Sequence, residues 1–257
     1  MIAILGSGIS GLMTAWACIT RGRQFVIYTK NPEKPKTFGL EYLHEPCDLA
    51  GLRSDKLEKI FVPFCLDREE FSKRYSFKVY GDNSVPRSRS VEYFVDETIY
   101  SMPDAIDVIW PLVAGNIVEE HIRDFNDIEN IIKFHKDVDL VLSTIPLSNF
   151  KAVIEKDAYV DISKTDYSKN FCIYNARDNT PVYRSGVIFG QSFAESVLAL
   201  SKDSILIHKI FGSVELPKIN KVKFIGRYGK HDKSVLAHDV YHEVCKLLDE
   251  GGYGQSW

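Results

Sequence analysis

The sequence predicts an α/β fold, a Rossmann-type parallel sheet with a small antiparallel insertion. Three observations carry this. The first thirty residues read strand, glycine turn, helix, strand. Residues 116–146 repeat that strand–helix–strand alternation. Between them, 57–115 breaks the alternation with short segments joined by polar turns. At 257 residues, 45% hydrophobic and 12% aromatic, the chain can form one large or two small domains with a substantial core.

The opening unit is the most specific. The strand Ile2-Ala-Ile-Leu5 runs into Gly6-Ser7-Gly8-Ile9-Ser10-Gly11, a helix follows to Gly22, and Phe25-Val-Ile-Tyr28-Thr29-Lys30 is a second strand. This is the dinucleotide fingerprint in its full context. Gly6 permits the tight turn, Gly8 lets backbone approach a pyrophosphate, and Gly11 lets helix and strand pack closely. The helix N-terminus offers N–H groups and a positive dipole end to phosphates. The acidic residue expected at the end of the second strand is replaced by Thr29 and Lys30, so a ribose is expected to meet a hydroxyl or an ammonium.

Asn31 to Leu52, rich in Pro, Lys and Gly, is a long excursion containing Gly39-Leu-Glu41-Tyr42-Leu43-His44. Such a loop leaving a nucleotide-binding strand is usually functional. Lys59–Leu66 reads as a strand, Arg68–Tyr75 as a short helix, and Phe77–Tyr80 and Val91–Val95 as strands. Pro103–Ala114 has helical spacing, with Ser101 or Asp104 at its start. Residues 57–115 are thus expected to form a substrate-covering insertion between two pieces of a cofactor domain, 1–56 and 116–257.

Asn116–Ile122 returns as a strand, Asp124–Phe134 as a helix, and Val138–Thr144 as an apolar strand ending at Ile145-Pro146. Tyr159–Ile162, Phe171–Tyr174, Val182–Phe189 and Ile205–Ile210 read as strands of a second sheet region. Val222–Ile225 is a last strand before Gly226-Arg227-Tyr228-Gly229. Ser234–Leu248 closes the chain as an amphipathic helix with Leu236, Val240, Val244 and Leu247 on one face.

A net charge of −3 gives no reason to expect a general nucleic-acid or membrane-surface binder. Five scattered cysteines without a C-x-x-C pair favour reduced thiols in a cytosolic compartment. No run approaches eighteen apolar residues, so no membrane partner is expected.

The glycine loop, Leu140-Val-Leu-Ser-Thr144-Ile-Pro146 and the Gly226-Arg227 turn together resemble the FAD-binding proteins of the UDP-galactopyranose mutase and amine-oxidase group. The resemblance implies a GR2-like FAD-binding fold with FAD as cofactor. Glycine spacing alone leaves NAD and FAD open; the C-terminal Gly226-Arg227 segment favours FAD. By the same resemblance the loop Gly6–Gly11 holds the pyrophosphate and Val118 meets adenine. Thr144 and Pro146 pass near the flavin, and Gly226, Arg227, Tyr228, Ser234 and Val235 cradle it. Tyr28, Thr29, Lys30, Tyr42 and Leu43 complete the cofactor set.

Val182-Tyr183-Arg184 looks like the mutase strand whose arginine faces the active site, though strand alternation lets at most one of Tyr183 and Arg184 do so. His44, suited to proton transfer near neutral pH, is the other catalytic candidate. Thr29-Lys30, the basic loop and the Tyr42-Leu43-His44 segment also resemble compact flavoproteins encoded by bacteriophages. That likeness implies residence in host cytoplasm and a modified DNA base, a hypermodified thymidine, as one substrate class.

The function expected is an FAD-dependent oxidoreductase or lyase that oxidises, cleaves or rearranges an amine or amino-acid-like group on a small polar substrate. A nucleotide-sugar mutase and a non-catalytic dinucleotide-binding module are the alternatives. Two features read as ordinary surface. His238 and His242 lie four apart on a helix, opposite the Leu236/Val240/Val244 face, without an evident third metal ligand. Arg87 and Arg89 form a short solvated charged loop.

Overall fold

The computed structural model describes residues 1–38, 41–63, 66–82, 97–210 and 214–251. Val91–Val95, Arg87 and Arg89 lie outside them. In chain order the helices and strands are β1 (Ile2–Leu5), α1 (Ile9–Thr20), β2 (Phe25–Thr29), β3 (Tyr42–Leu43), β4 (Ser54–Val62), α2 (Arg68–Tyr80) and β5 (Glu97–Ser101). Then come α3 (Met102–Val113), β6 (Ile117–Glu119), α4 (Phe125–Phe134), β7 (Leu140–Ser143), β8 (Glu155–Lys164), β9 (Asn170–Asn175) and β10 (Val182–Ile188). The last are β11 (Gln191–Ser196), β12 (Ile205–Ile210), β13 (Val222–Phe224), α5 (Gly226–Lys230) and α6 (Ala237–Asp249).

Five strands form a parallel sheet in the order β13-β7-β1-β2-β6. All four residues of β1 are buried, as a sheet covered on both faces requires. Alternation sends Ile2 and Ile4 to a core with Leu12, Met13, Ile109 and Val244, from α1, α3 and α6. Ala3 and Leu5 face the other core, with Ile128 and Ile131 of α4 and Phe224 of β13.

The second sheet has eight strands in the order β12-β8-β11-β10-β9-β4-β5-β3. Its pairs are antiparallel except β4 with β9, which run parallel. It draws five strands from 155–210 and only part of its area from 57–115, and α3 of that stretch packs in the core beneath the parallel sheet.

Phe77–Tyr80, read as a strand, is instead the end of α2. Asp67 caps that helix by accepting from Glu70 N–H, and Gly81 closes it at φ +73°. Phe71, Tyr75 and Val79 then recur at helical spacing against the eight-stranded sheet. The last helix starts at Ala237, not Ser234. Ser234 Oγ donates instead to Asp232 Oδ1 at 2.7 Å, and Asp239 Oδ2 accepts from Leu236 N–H at 2.8 Å. Among the described residues no helix is long and apolar enough to cross a membrane.

Candidate functional site

The three motifs singled out in the sequence meet at the C-terminal end of the parallel sheet. Gly6 sits at φ +98°, and a Cβ there would lie 2.8 Å from Thr144 Oγ1. A Cβ on Gly11 would fall 1.9 Å from Gly6 O, so only glycine lets α1 approach the turn this closely. Thr144 Oγ1 donates to Leu5 O at 2.8 Å, tying the end of β7 to that of β1. Gly226, at φ +79°, presses on the head of α1, where a Cβ would stand 2.5 Å from Ser10 Oγ. Gly8 differs: the space before it is open for 4 Å, and no side chain caps the first turn of α1. That leaves first-turn N–H groups and an open approach, the donor set an anion takes.

Around this turn the other expected cofactor residues divide. Ser7 and Thr29 are buried and linked Oγ to Oγ1 at 2.9 Å, and both bond Asn31 O. The Thr29 hydroxyl is thus committed to the loop, while Lys30 is exposed. Tyr28 is buried against His135, ring centroids 5.7 Å apart, and Val118, its register partner on β6, is exposed. Ile9 and Val235 are partly buried against the core, and Pro146 is half-buried. Leu43 is fully buried in the core under the parallel sheet, because its strand turns that side chain away from solvent. Arg227 donates Nε–H to Val235 O at 3.1 Å, and Tyr228 Oη–H donates to His208 O at 3.0 Å.

A charged cluster on the eight-stranded sheet acts on Arg227 at this edge. Glu195 of β11 is buried and pairs with Arg184 of β10 at 2.5 Å and Lys209 of β12 at 2.9 Å. Burial alone would raise the Glu195 carboxyl, but the two cations overcome it and hold it well below the usual carboxylate range. Burial pulls the Lys209 ammonium down to about 8 against the pull of Glu195.

Simple alternation does not hold at β10. Its register with β11 shifts between Val182 and Arg184, a bulge that lets Tyr183 and Arg184 serve one cluster. Lys209 Nζ lies 5.5 Å from the Tyr183 ring centroid, while Arg184 lies 6.0 Å from that of Tyr174. Tyr183 itself is only 1% exposed, packed with Val79 and Ala158, which makes it a wall of the cluster.

His44 occupies a different corner. Its ring lies between Tyr42 and His238, at centroid distances of 4.8 and 5.2 Å, and its Nδ1 is 3.4 Å from Glu97 Oε1. Tyr42 Oη–H donates to the same oxygen at 2.6 Å, and Lys59 Nζ reaches Glu97 Oε2 at 2.5 Å. Burial raises the Glu97 carboxyl, but Lys59 and Tyr42 outweigh it and lower its pKa. His238, expected on a solvated helix face, is only 6% exposed, because α6 presents it to His44; His242 is exposed and pairs with Glu45 at 2.7 Å. Among the described residues no cluster suits a metal ion.

Glu41 joins the site from the long loop. Its Oε2 accepts from Phe38 N–H at 2.7 Å, and burial pushes its carboxyl up to about 7 against that hydrogen bond. Glu195, Lys209 and Arg227 are close enough to act on its charge. Sequence reasoning passed over Glu41, Glu97, Glu195 and Lys209. A signal existed for two of them: Glu195 shares parity with inward Phe193, and Lys209 with Ile205 and Ile207, so each is a charge in an apolar register.

No protein-family model and no curated protein matches the sequence. Solved structures are similar in fold. The flavin-dependent brominase Bmp2 matches at 12% identity and a TM-score of 0.55, over 100% of this chain and 80% of its own. A mutant (Y270A) of 2-methyl-3-hydroxypyridine-5-carboxylic acid oxygenase matches at 10% and 0.56, over 99% and 83%. A putative FAD-containing monooxygenase from Photorhabdus luminescens subsp. laumondii TTO1 matches at 10% and 0.51, over 100% and 90%. The chain has the Rossmann-type α/β fold these proteins share.

Proposed function

We propose that this chain is an FAD-dependent oxidoreductase acting on a small polar substrate that bears an amine or amino-acid-like group. The observation that carries the cofactor reading is the turn at the head of α1. Gly6, Gly11 and Gly226 are fixed by close contacts, whereas Gly8 alone opens onto free space beside uncapped N–H groups. A pyrophosphate fits that donor set, held by the backbone of Gly6–Gly11, with Lys30 and Val118 toward the adenosine end. The likeness in fold to proteins named as flavin- or FAD-dependent supports the same cofactor.

FAD supplies two-electron redox chemistry when bound. The chain's own residues supply the rest. Arg184 and Lys209 exceed the charge of Glu195, and Arg227 adds a third cation, so this corner stabilises developing negative charge. His44, oriented by Glu97, is placed to move a proton at its imidazole. This investment in charged groups favours an enzyme over a passive binding module. A lyase outcome and a hypermodified thymidine as carrier of the amine rest on sequence resemblance. Digestion of treated DNA to nucleosides, followed by mass spectrometry, tests them.

The cofactor is tested by the visible spectrum of the purified chain, before and after FAD addition and gel filtration. Retained flavin absorbance is expected. A colourless protein after reconstitution refutes the reading.

A further inference from the structure

A crevice of about 400 Å³ opens at the tip of the β10–β11 hairpin, lined by Glu41, Arg53, Lys164, Asp166 and Phe189 among others. We propose that it receives the protonated amine of a small substrate, and that Glu41 takes the proton from it. The inference deepens the flavoenzyme reading and rests on it: bound FAD would take hydride from a neutral amine, not from an ammonium.

The crevice's charges favour a cation. Arg53 is already answered by Asp104, with Nε to Oδ2 at 2.8 Å and Nη2 to Oδ1 at 2.7 Å. Two carboxylates, Glu41 and Asp166, then face one ammonium, Lys164. The wall is aromatic: Phe189 stands at φ +47°, its N–H donating to Asn170 Oδ1 at 2.6 Å, with the Arg53 guanidinium 5.6 Å from its ring centroid. Such a backbone conformation is rare for a bulky residue and marks a surface held in shape.

Glu41 has the geometry of an acceptor. Phe38 N–H fixes Oε2, and among the described residues Oε1 has no hydrogen-bond partner. In the transfer an N–H bond of the ammonium breaks, its electron pair stays on nitrogen, and an O–H bond forms at Oε1. Ammonium and carboxylate become amine and carboxylic acid. Lys209 and Arg227 act on the Glu41 charge as well and lower its carboxyl, against the larger effect of burial. Burial places the Glu41 carboxyl at about 7, matched to a base working at neutral pH.

The test is isothermal titration calorimetry on the full chain, FAD-saturated and as purified, with n-propylamine, n-propanol and propionate from pH 6 to 9. Propylamine is expected to bind roughly tenfold more tightly than either analogue at pH 8 and to weaken below pH 7. Glu41→Gln should lower propylamine affinity roughly tenfold and flatten its pH profile, leaving propanol unchanged. Asp166→Asn, in an exposed turn, should weaken propylamine about two- to threefold and serves if Glu41→Gln fails to fold by circular dichroism. Propionate binding as tightly as propylamine, or a pH-independent propylamine affinity in the parent chain, overturns the proposal. A chain that holds FAD without preferring the amine overturns this inference alone. One that prefers the amine but takes up no FAD overturns the flavoenzyme reading.

Discussion

Gly8→Ala and Gly11→Ala change the same atom count three residues apart and should have opposite effects. Gly8 sits at φ −67°, ψ −176°, open to any L-residue, and its new Cβ meets nothing within 4 Å. Alanine there should stabilise the ligand-free fold by about 0.4–1 kcal/mol, through the unfolded chain's lost freedom. The new methyl group would stand in the way of the proposed pyrophosphate, and overpacking of that kind costs about 1–3 kcal/mol. FAD affinity should therefore fall roughly 5- to 150-fold, at tenfold per 1.4 kcal/mol.

At Gly11 the Cβ would lie 1.9 Å from Gly6 O, a backbone atom that cannot swing away. Here the fold itself should lose about 3 kcal/mol or more, roughly 6–12 °C in Tm for a chain of this size. Thermal denaturation by circular dichroism without FAD reads the first quantity, and flavin fluorescence quenching reads the second. Gly8→Ala with undiminished FAD affinity refutes the pyrophosphate site. Gly11→Ala with unchanged Tm refutes the helix–strand contact.

Glu195→Gln leaves Arg184 and Lys209 without their shared carboxylate and should cost about 3–5 kcal/mol in urea denaturation. Its folded pKa is depressed, so its stabilisation is present above the unfolded value near 4.3 and is lost as pH falls toward the folded value; the variant should lack that acid-side loss. Glu41 has the opposite sign. Its carboxyl is raised to about 7, so stability falls as pH rises from about 4.5 through 7, and Glu41→Gln should gain on the order of 2 kcal/mol over the parent at pH 8 with none at pH 4. Lys30→Ala should weaken FAD two- to tenfold, about 0.4–1.4 kcal/mol, with Tm unchanged, whereas Thr29→Val should cost about 1–2 kcal/mol of stability by breaking the links to Ser7 and Asn31. Both are separable by the same fluorescence and melting measurements.

The sequence by itself determined the β1–α1–β2 unit and its glycine turn, because the causes are local. Glycine φ, an uncapped first turn and alternation along a buried strand all act within a few residues. One cap was legible for the same reason: Ser101, one of the two residues expected at the start of α3, accepts from Asp104 N–H. Where local signals competed, tertiary packing decided: 77–80 has strand-like composition but completes α2, since Asp67 and Gly81 frame one helix with a single apolar stripe.

Only the tertiary structure decided which charges meet. Glu195 finds Arg184 and Lys209 through the order of three strands and a bulge in β10, and His44 finds His238 across nearly two hundred residues of chain. Glu41 becomes a candidate base only because the fold buries it, which raises its carboxyl to about 7 against the opposing charges of Lys209 and Arg227. A side chain's titration and reach are set by neighbours in space, and sheet order and register, not adjacency, choose those neighbours.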